Sequence, residues 1–358
     1  ISKLKSLGWT TTASGQYHLN IQNQYIDQKT GKTGIGNIRT TIAGIKNIQD
    51  YCKNNGFDFS NPPSSVSFMQ KVIKVHNGQK LFPINFDDFR FRVNYKEEKV
   101  LKKDFGIVQD LLQSWNEKKK VYRLIKRFSF KKHNFTGGYG SDSQNFPVRI
   151  DCSVVRSSKK IGRRLVPEFR IESSGVLNNP ETYEIEIEVD NSNYIGSGAH
   201  LLGKLRETIK YVMSGIQNSN FPISYTEQDN ILGEYMHVLY KEPPARRVRT
   251  RDFVGPSSIS LERPNIAPLT DDMVVPNIRS PYTVTEKADG IRKLLFINDK
   301  GKVYMIDVNM NVQFTGALPK SRKFSIQYWM ENTFRIINMG CLLIIISHLI
   351  STISTKKI

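Results

Sequence analysis

The stretch "YEIEIEVD", residues 183–190, limits the possible folds more than any other. Strict alternation places Glu184, Glu186, Glu188 and Asp190 on one face of a strand and Ile185, Ile187 and Val189 on the other. The apolar face packs a core. Crowded carboxylates repel one another and cannot be buried without partners, so the acidic face must meet water, cations or basic side chains. Other strand-like runs supply the cations. "FRFRVNYK" sets Arg90, Arg92, Asn94 and Lys96 opposite Phe89, Phe91, Val93 and Tyr95. In "VYRLIKRFSF" Arg123 and Arg127 share a face, in "FPVRIDCS" Arg149 and Asp151 do, and "EFRIES" adds Arg170.

On an open sheet the acidic face would simply meet water. Antiparallel strands of this kind can also close into a barrel with the charged faces inward. The expectation is a mostly β protein with helices (α+β), built on a closed antiparallel β-tunnel. Its lumen would hold carboxylates for a divalent metal at one wall (Glu184, Glu186, Glu188) and cations for a phosphate chain at another (Arg90, Arg92, Lys96, Arg123, Arg127, Arg149, Arg170). Such a set suits metal-assisted hydrolysis of a terminal phosphate.

The chain of 358 residues has room for two cores. Its 52 Lys and Arg against 33 Asp and Glu leave a net charge of +19, which points to a polyanionic partner such as RNA. A solvated lysine-rich surface is the plainer alternative. Cys52, Cys152 and Cys341 contain no CxxC pair and suggest neither a disulfide framework nor a zinc site. No secretion signal is visible. "CLLIIISHLI" is too short and polar to span a bilayer, so no membrane partner is expected. Because the chain opens at Ile1, a fragment is expected. "GIKNIQDYCKNNG" reads as a helix stopped at Gly56, and "SGAHLLGKLRETIKYVMSGI" as one with a stripe at Leu202, Leu205, Ile209, Val212 and Ile216. The predicted organisation is a β domain over 1–219, a Pro- and Arg-rich connector over 220–265, the start of a second domain over 266–320, and a tail over 321–358.

With its helix following, "EIEIE" resembles the second metal-binding strand of the tunnel-type, metal-dependent RNA triphosphatases, over roughly residues 30–218. The resemblance implies Mg2+ or Mn2+ and RNA 5′ ends as substrate. It also implies a first ExE strand before "NIRTTIAG", yet residues 1–34 contain no glutamate, so that strand is expected to lie upstream.

"TVTEKADGIRKLLF", residues 283–296, sets Lys287 among residues suited to a strand. K-x-D-G-x-R here is Lys287, Asp289, Gly290 and Arg292, with Glu286 beside the lysine. It resembles motif I of the covalent nucleotidyltransferases, meaning mRNA guanylyltransferases and polynucleotide ligases. The resemblance implies that the Lys287 amine attacks the α-phosphate of GTP, and that Glu286, Asp289, Gly290 and Arg292 bind the nucleotide. "FVGPSSISLERPNI" is similar to the segment before motif I in capping guanylyltransferases. The order of the two domains resembles the front end of the mRNA capping enzymes of large DNA viruses. It implies RNA 5′ capping in the host cytoplasm or virion, alongside viral transcription machinery. The alternatives are an ATP-dependent polynucleotide ligase and an inactive RNA-binding remnant.

Two further motifs of that family, an Asp-Gly-Glu and a Phe-Asp-Ile-Tyr-Tyr-like strand, are absent after "NVQFTGALPK". Read one nucleotide upstream, "SIQYWMENTF" can encode Ile-Leu-Asp-Gly-Glu, and "HLISTISTKK" can encode Phe-Asp-Ile-Tyr-Tyr. The Trp329–Met330 junction has unique codons and forces the aspartate. An insertion or deletion between about Thr315 and Ser325 is therefore expected.

Overall fold

In the computed structural model, residues 1–59, 62–132, 146–189, 197–240, 244–254, 260–271, 275–280 and 291–318, with the backbone of 342–346, are described. They divide into two compact units, Ile1–Val212 and Met213–Ile358.

The first unit opens with α1 (Ser2–Ser6) and a long strand, β1 (Trp9–Ile26). Then come β2 (Thr33–Ile35), β3 (Ile38–Ala43), α2 (Ile45–Asn54) and β4 (Val66–Ile73). Two small hairpins follow, β5 (Val75–His76) with β6 (Gln79–Lys80), and β7 (Ile84–Phe86) with β8 (Phe91–Val93). The chain continues through β9 (Lys96–Leu101), α3 (Gly106–Gln113), β10 (Lys120–Lys132) and β11 (Val148–Ser157). A hairpin of β12 (Lys160–Ile161) and β13 (Arg164–Leu165) precedes β14 (Thr182–Val189). The helix α4 (Gly198–Gln217) closes the unit and passes into the second.

One antiparallel sheet runs β14-β11-β10-β1-β3-β4-β9, with β2 also on β1. Period-two alternation sorts its faces. Leu19, Ile21, Ile42, Phe68 and Tyr122 are buried against Ile48 and Tyr51 of α2, Val108 and Leu112 of α3, and Trp115. Trp9, Phe130, Val148 and Ile150 pack with Val212 of α4. Burying a side chain such as Phe68 contributes about 1.5–3 kcal/mol. The helices thus cover the apolar face and leave the charged face to the other side. That face is concave. In a flat sheet β9 would lie four strand spacings, ~19 Å, from β10. Yet the field of Arg127 on β10 is felt by Glu98 on β9. The result is a curled, half-barrel sheet ending at β9 and β14, with no ladder joining those two among the described residues.

Three sequence expectations change. "FRFRVNY" is not a strand of this sheet. Residues Asp87–Phe89 form a 3-10 turn and Arg90 takes φ 53, so only Phe91–Val93 extend, in a separate hairpin. "EFRIES" makes a single bridge, Lys120 to Glu168, and then turns, because Ser174 Oγ donates to the Ile171 carbonyl (2.6 Å) and Gly175 has φ +73. The supposed connector contains a 15-residue helix, α5 (Tyr225–Leu239).

In the second unit Ser224 caps α5 by accepting from Glu227 N (3.1 Å). The short α6 (Arg263–Ile266) is followed by β15 (Lys293–Ile297), β16 (Val303–Asp307), β17 (Val312–Phe314) and β18 (Leu342–Ile346), ordered β17-β16-β15-β18. Ile231, Tyr235 and Met236 of α5 pack on Leu294, Phe296, Tyr304 and Ile306. Glu227 accepts from Tyr304 Oη and Lys302 Nζ, each at 2.8 Å, which ties the helix to the sheet. No helix among the described residues is long and apolar enough to cross a membrane.

Candidate metal and phosphate site

The site follows from the register of three strands. Asp151 faces Glu186 across the β11–β14 ladder, Arg149 faces Glu188 and Ser153 faces Glu184. On the other side of β11, Ser153 faces Arg127 and Ser157 faces Arg123. All these residues share the concave face, so carboxylates and guanidiniums meet. Arg123 Nη2 donates to both oxygens of Glu184, each at 2.7 Å. Arg127 lies 3.4 Å from Asp151 and 3.3 Å from Glu186. Arg149 lies 3.2 Å from Asp151 and also pairs with Glu188. Burial works against the charge of Arg149, but Asp151 and Glu188 carry its pKa above the ordinary guanidinium value.

Asp151 is the pivot. Its side chain is 0% exposed, and although two arginines lie within ion-pair reach, neither oxygen accepts a well-aligned hydrogen bond. A buried carboxylate in that state calls for another partner. One oxygen from each of Asp151, Glu186 and Glu188 lies within 4.8 Å of the others. Convergent carboxylate oxygens are what a hard divalent cation such as Mg2+ or Mn2+ takes, so these residues fit such an ion.

The sequence-predicted residues divide. Glu186 and Glu188 enter the convergent set. Glu184 is instead held by Arg123, and Asp151 takes its place. Arg123, Arg127 and Arg149 lie on the concave face. Lys96 shares that face's parity with Glu98 at the sheet's edge, where Glu98 pairs with Lys71 at 2.6 Å. Arg90 and Arg92 sit in the β7–β8 hairpin, and Arg170 is exposed beside Glu172 (3.5 Å), so none of the three is on the sheet. The reason is local: the turns at Arg90 and Ser174 break the alternation on which their placement rested.

The place beside β3 is filled by β1, which pairs with both β3 and β10 and carries His18 and Asn20 on the charged face. It bears no carboxylate there. Sequence reasoning missed His18. Burial first, then Arg127 and Arg39, lower its pKa below the usual value, while Asp151 pulls the other way. The available signal was the Tyr17-x-Leu19-x-Ile21 alternation, obscured by its Asn and Gln partners.

In the second unit Glu286, Lys287, Asp289 and Gly290 lie outside the described residues. Arg292 stacks its guanidinium over the Phe253 ring, 5.1 Å from the centroid. The Asp252 carboxylate accepts from Arg246 Nη1 and Nη2 (2.7 and 2.6 Å), which lowers its pKa to about 2.

The fold and site define a class: mostly β chains whose curled sheet presents a charged face suited to a divalent cation and phosphate. Residues 223–325 match the family described as mRNA capping enzyme, catalytic domain. Over 193 residues the chain is 27% identical to a probable mRNA-capping enzyme of Acanthamoeba polyphaga mimivirus, a match covering 54% of this chain and 13% of that protein. The chain therefore spans a small part of that relative's length. A structure described as the RNA triphosphatase domain of a trifunctional mimivirus mRNA capping enzyme aligns with 58% of this chain and 75% of that one, at 16% identity and TM-score 0.32. In sequence the chain is thus similar to viral mRNA capping enzymes, by the family match over 223–325 and by the mimivirus relative.

Proposed function

We propose that the first unit removes the γ-phosphate from RNA 5′ ends and that the second belongs to a guanylyltransferase that uses GTP. The observation that carries the first half is the convergence of Asp151, Glu186 and Glu188 between Arg127 and Arg149. The carboxylates would hold Mg2+ or Mn2+, which when bound supplies Lewis-acid polarisation of a phosphoryl oxygen. The arginines bind and orient the triphosphate and offset charge that builds on its oxygens. His18, kept neutral, can accept or donate a proton on the same face.

The second half rests on the family match over 223–325, which contains Lys287 and Arg292. In this reading the neutral Lys287 amine attacks the α-phosphate. An N–P bond forms, the α–β phosphoanhydride breaks, and pyrophosphate leaves with the electron pair. The capping-family match favours GTP over a ligase's ATP.

Incubating the chain with RNA labelled at the γ-phosphate, with Mg2+ or Mn2+, tests the first half. Phosphate release should need the cation and should fall at least a hundredfold in Asp151→Asn. Release that is indifferent to both overturns the reading.

A further inference from the structure

The charged face does not end at the carboxylates. Along β11 the residues on that face run Arg149, Asp151, Ser153, Val155 and Ser157, and along β14 they run Glu188, Glu186, Glu184 and Thr182. Ser157 stands opposite Arg123. Beyond Ser157 the strand leads into the β12–β13 hairpin, where Gly162 (φ +59) makes the two-residue turn. Residues 159–164 read Lys-Lys-Ile-Gly-Arg-Arg. Lys159, Lys160, Arg163 and Arg164 are all exposed, and none has an acidic partner among the described residues. A cavity of about 610 Å³ lies against this hairpin, with Ser157, Thr182, Lys159 and Lys160 in its lining beside the apolar Ile161 and Pro180. The last two residues of the charged face thus open into a cavity rimmed by unpaired cations and walled in part by apolar groups.

We propose that this hairpin and cavity hold the RNA strand just downstream of the 5′ end, with phosphates on the four cations and a base against Ile161 and Pro180. The inference rests on the reading of the concave face as a site for RNA 5′-triphosphates. From Asp151 to Ser157 the strand advances ~20 Å at about 3.3 Å per residue. A stacked strand covers that distance in about six nucleotides at 3.4 Å each. A nucleic acid is favoured over an acidic peptide because the cavity continues a phosphate-suited face and supplies walls that a base can use.

Two fluorescent 5′-triphosphate RNAs, of three and of twenty nucleotides, distinguish the parts, with Ca2+ as the divalent ion and the intact chain as receptor. The 20-mer should bind at least tenfold more tightly than the 3-mer. Replacing Lys159, Lys160, Arg163 and Arg164 together with Gln should abolish that advantage and lower the salt slope by about 3, from about 0.7 per phosphate contact. Binding of the 3-mer should not change, which also reports that the variant is folded. A milder pair, Lys159→Gln with Lys160→Gln, should show about half of that decrease. If the wild-type chain does not bind the 3-mer, the triphosphate site falls and this inference with it. If the 3-mer binds but the variant keeps the 20-mer advantage, the hairpin inference alone falls. Competition by polyglutamate as effective as unlabelled RNA, at equal charge, also overturns it.

Discussion

Asp151 and Glu186 stand directly opposite each other on β11 and β14, and Arg127 reaches both, at 3.4 and 3.3 Å. Like charges placed face to face are tolerated because the guanidinium lies between them. The arrangement leaves carboxylate oxygens free to turn toward a cation.

Asp151→Asn should remove Mn2+ binding, measured by electron paramagnetic resonance of the free ion. Saturating Mn2+ at about 100 times its Kd should stabilise the wild-type chain by about 2.7 kcal/mol and the variant hardly at all. Equal thermal shifts in the two proteins would remove Asp151 from the site.

Glu184 and Glu186 look equivalent in sequence but not in the structure. Glu184→Gln should change cation affinity less than threefold, because Arg123 already occupies that carboxylate. Glu186→Gln and Glu188→Gln should each weaken it more than tenfold. Calorimetric titration of the three variants decides the ligand set, and a dominant effect at Glu184 would restore the ligand set expected from alternation alone.

His18 gives a pH signature. Burial, then Arg127 and Arg39, place its folded pKa below the unfolded value of about 6.5. Between those two values the unfolded state binds more protons, so stability rises with pH through that window. It is complete above about 6.5 and is lost as pH falls through the lowered folded value. Urea midpoints across pH 5 to 7.5 should show a slope that His18→Gln flattens. A slope unchanged in the variant assigns the effect to other groups.

For the second unit, restoring the reading frame after Thr315 should allow covalent labelling by radiolabelled GTP. Lys287→Arg should remove it, since a guanidinium stays protonated and is no nucleophile. Preference for ATP would favour a ligase. The chain as written should label at least tenfold less than the restored one. DNA sequence across Thr315–Ser325 provides a direct check, and codons that cannot give Asp-Gly-Glu would discard the frame change.

The parts legible in the sequence were those where one strand settles its own faces. "EIEIE" and "VRIDC" alternate cleanly, and β14 and β11 follow them, while in β10 Arg123 and Arg127 share a face with the apolar Ile125 between them. Asp151 was visible on its face but not as a partner of Glu186, because that depends on register between strands. Arg90 and Arg92 were misplaced because one positive-φ residue ends an alternation that composition alone continues. Polar Thr, Asn and Gln hid β1. Prolines on either side hid α5, although Ser224 and Glu227 had the spacing of a helix start and Ile231, Tyr235 and Met236 one apolar side. The lysine motif was legible as chemistry only, since most of it lies outside the described residues.

The edge strand β9 bears on how such a sheet stays solitary. It ends the sheet with Lys96, Glu97, Glu98 and Lys99 in succession, and two of these are tied back, Glu98 to Lys71 and Glu97 to Lys74. A neighbouring chain that tried to add a strand there would have to desolvate four charges to reach the free backbone groups. Neutralising them should turn a tolerant border into a seed for fibrils, so this run of charges guards the protein against copies of itself.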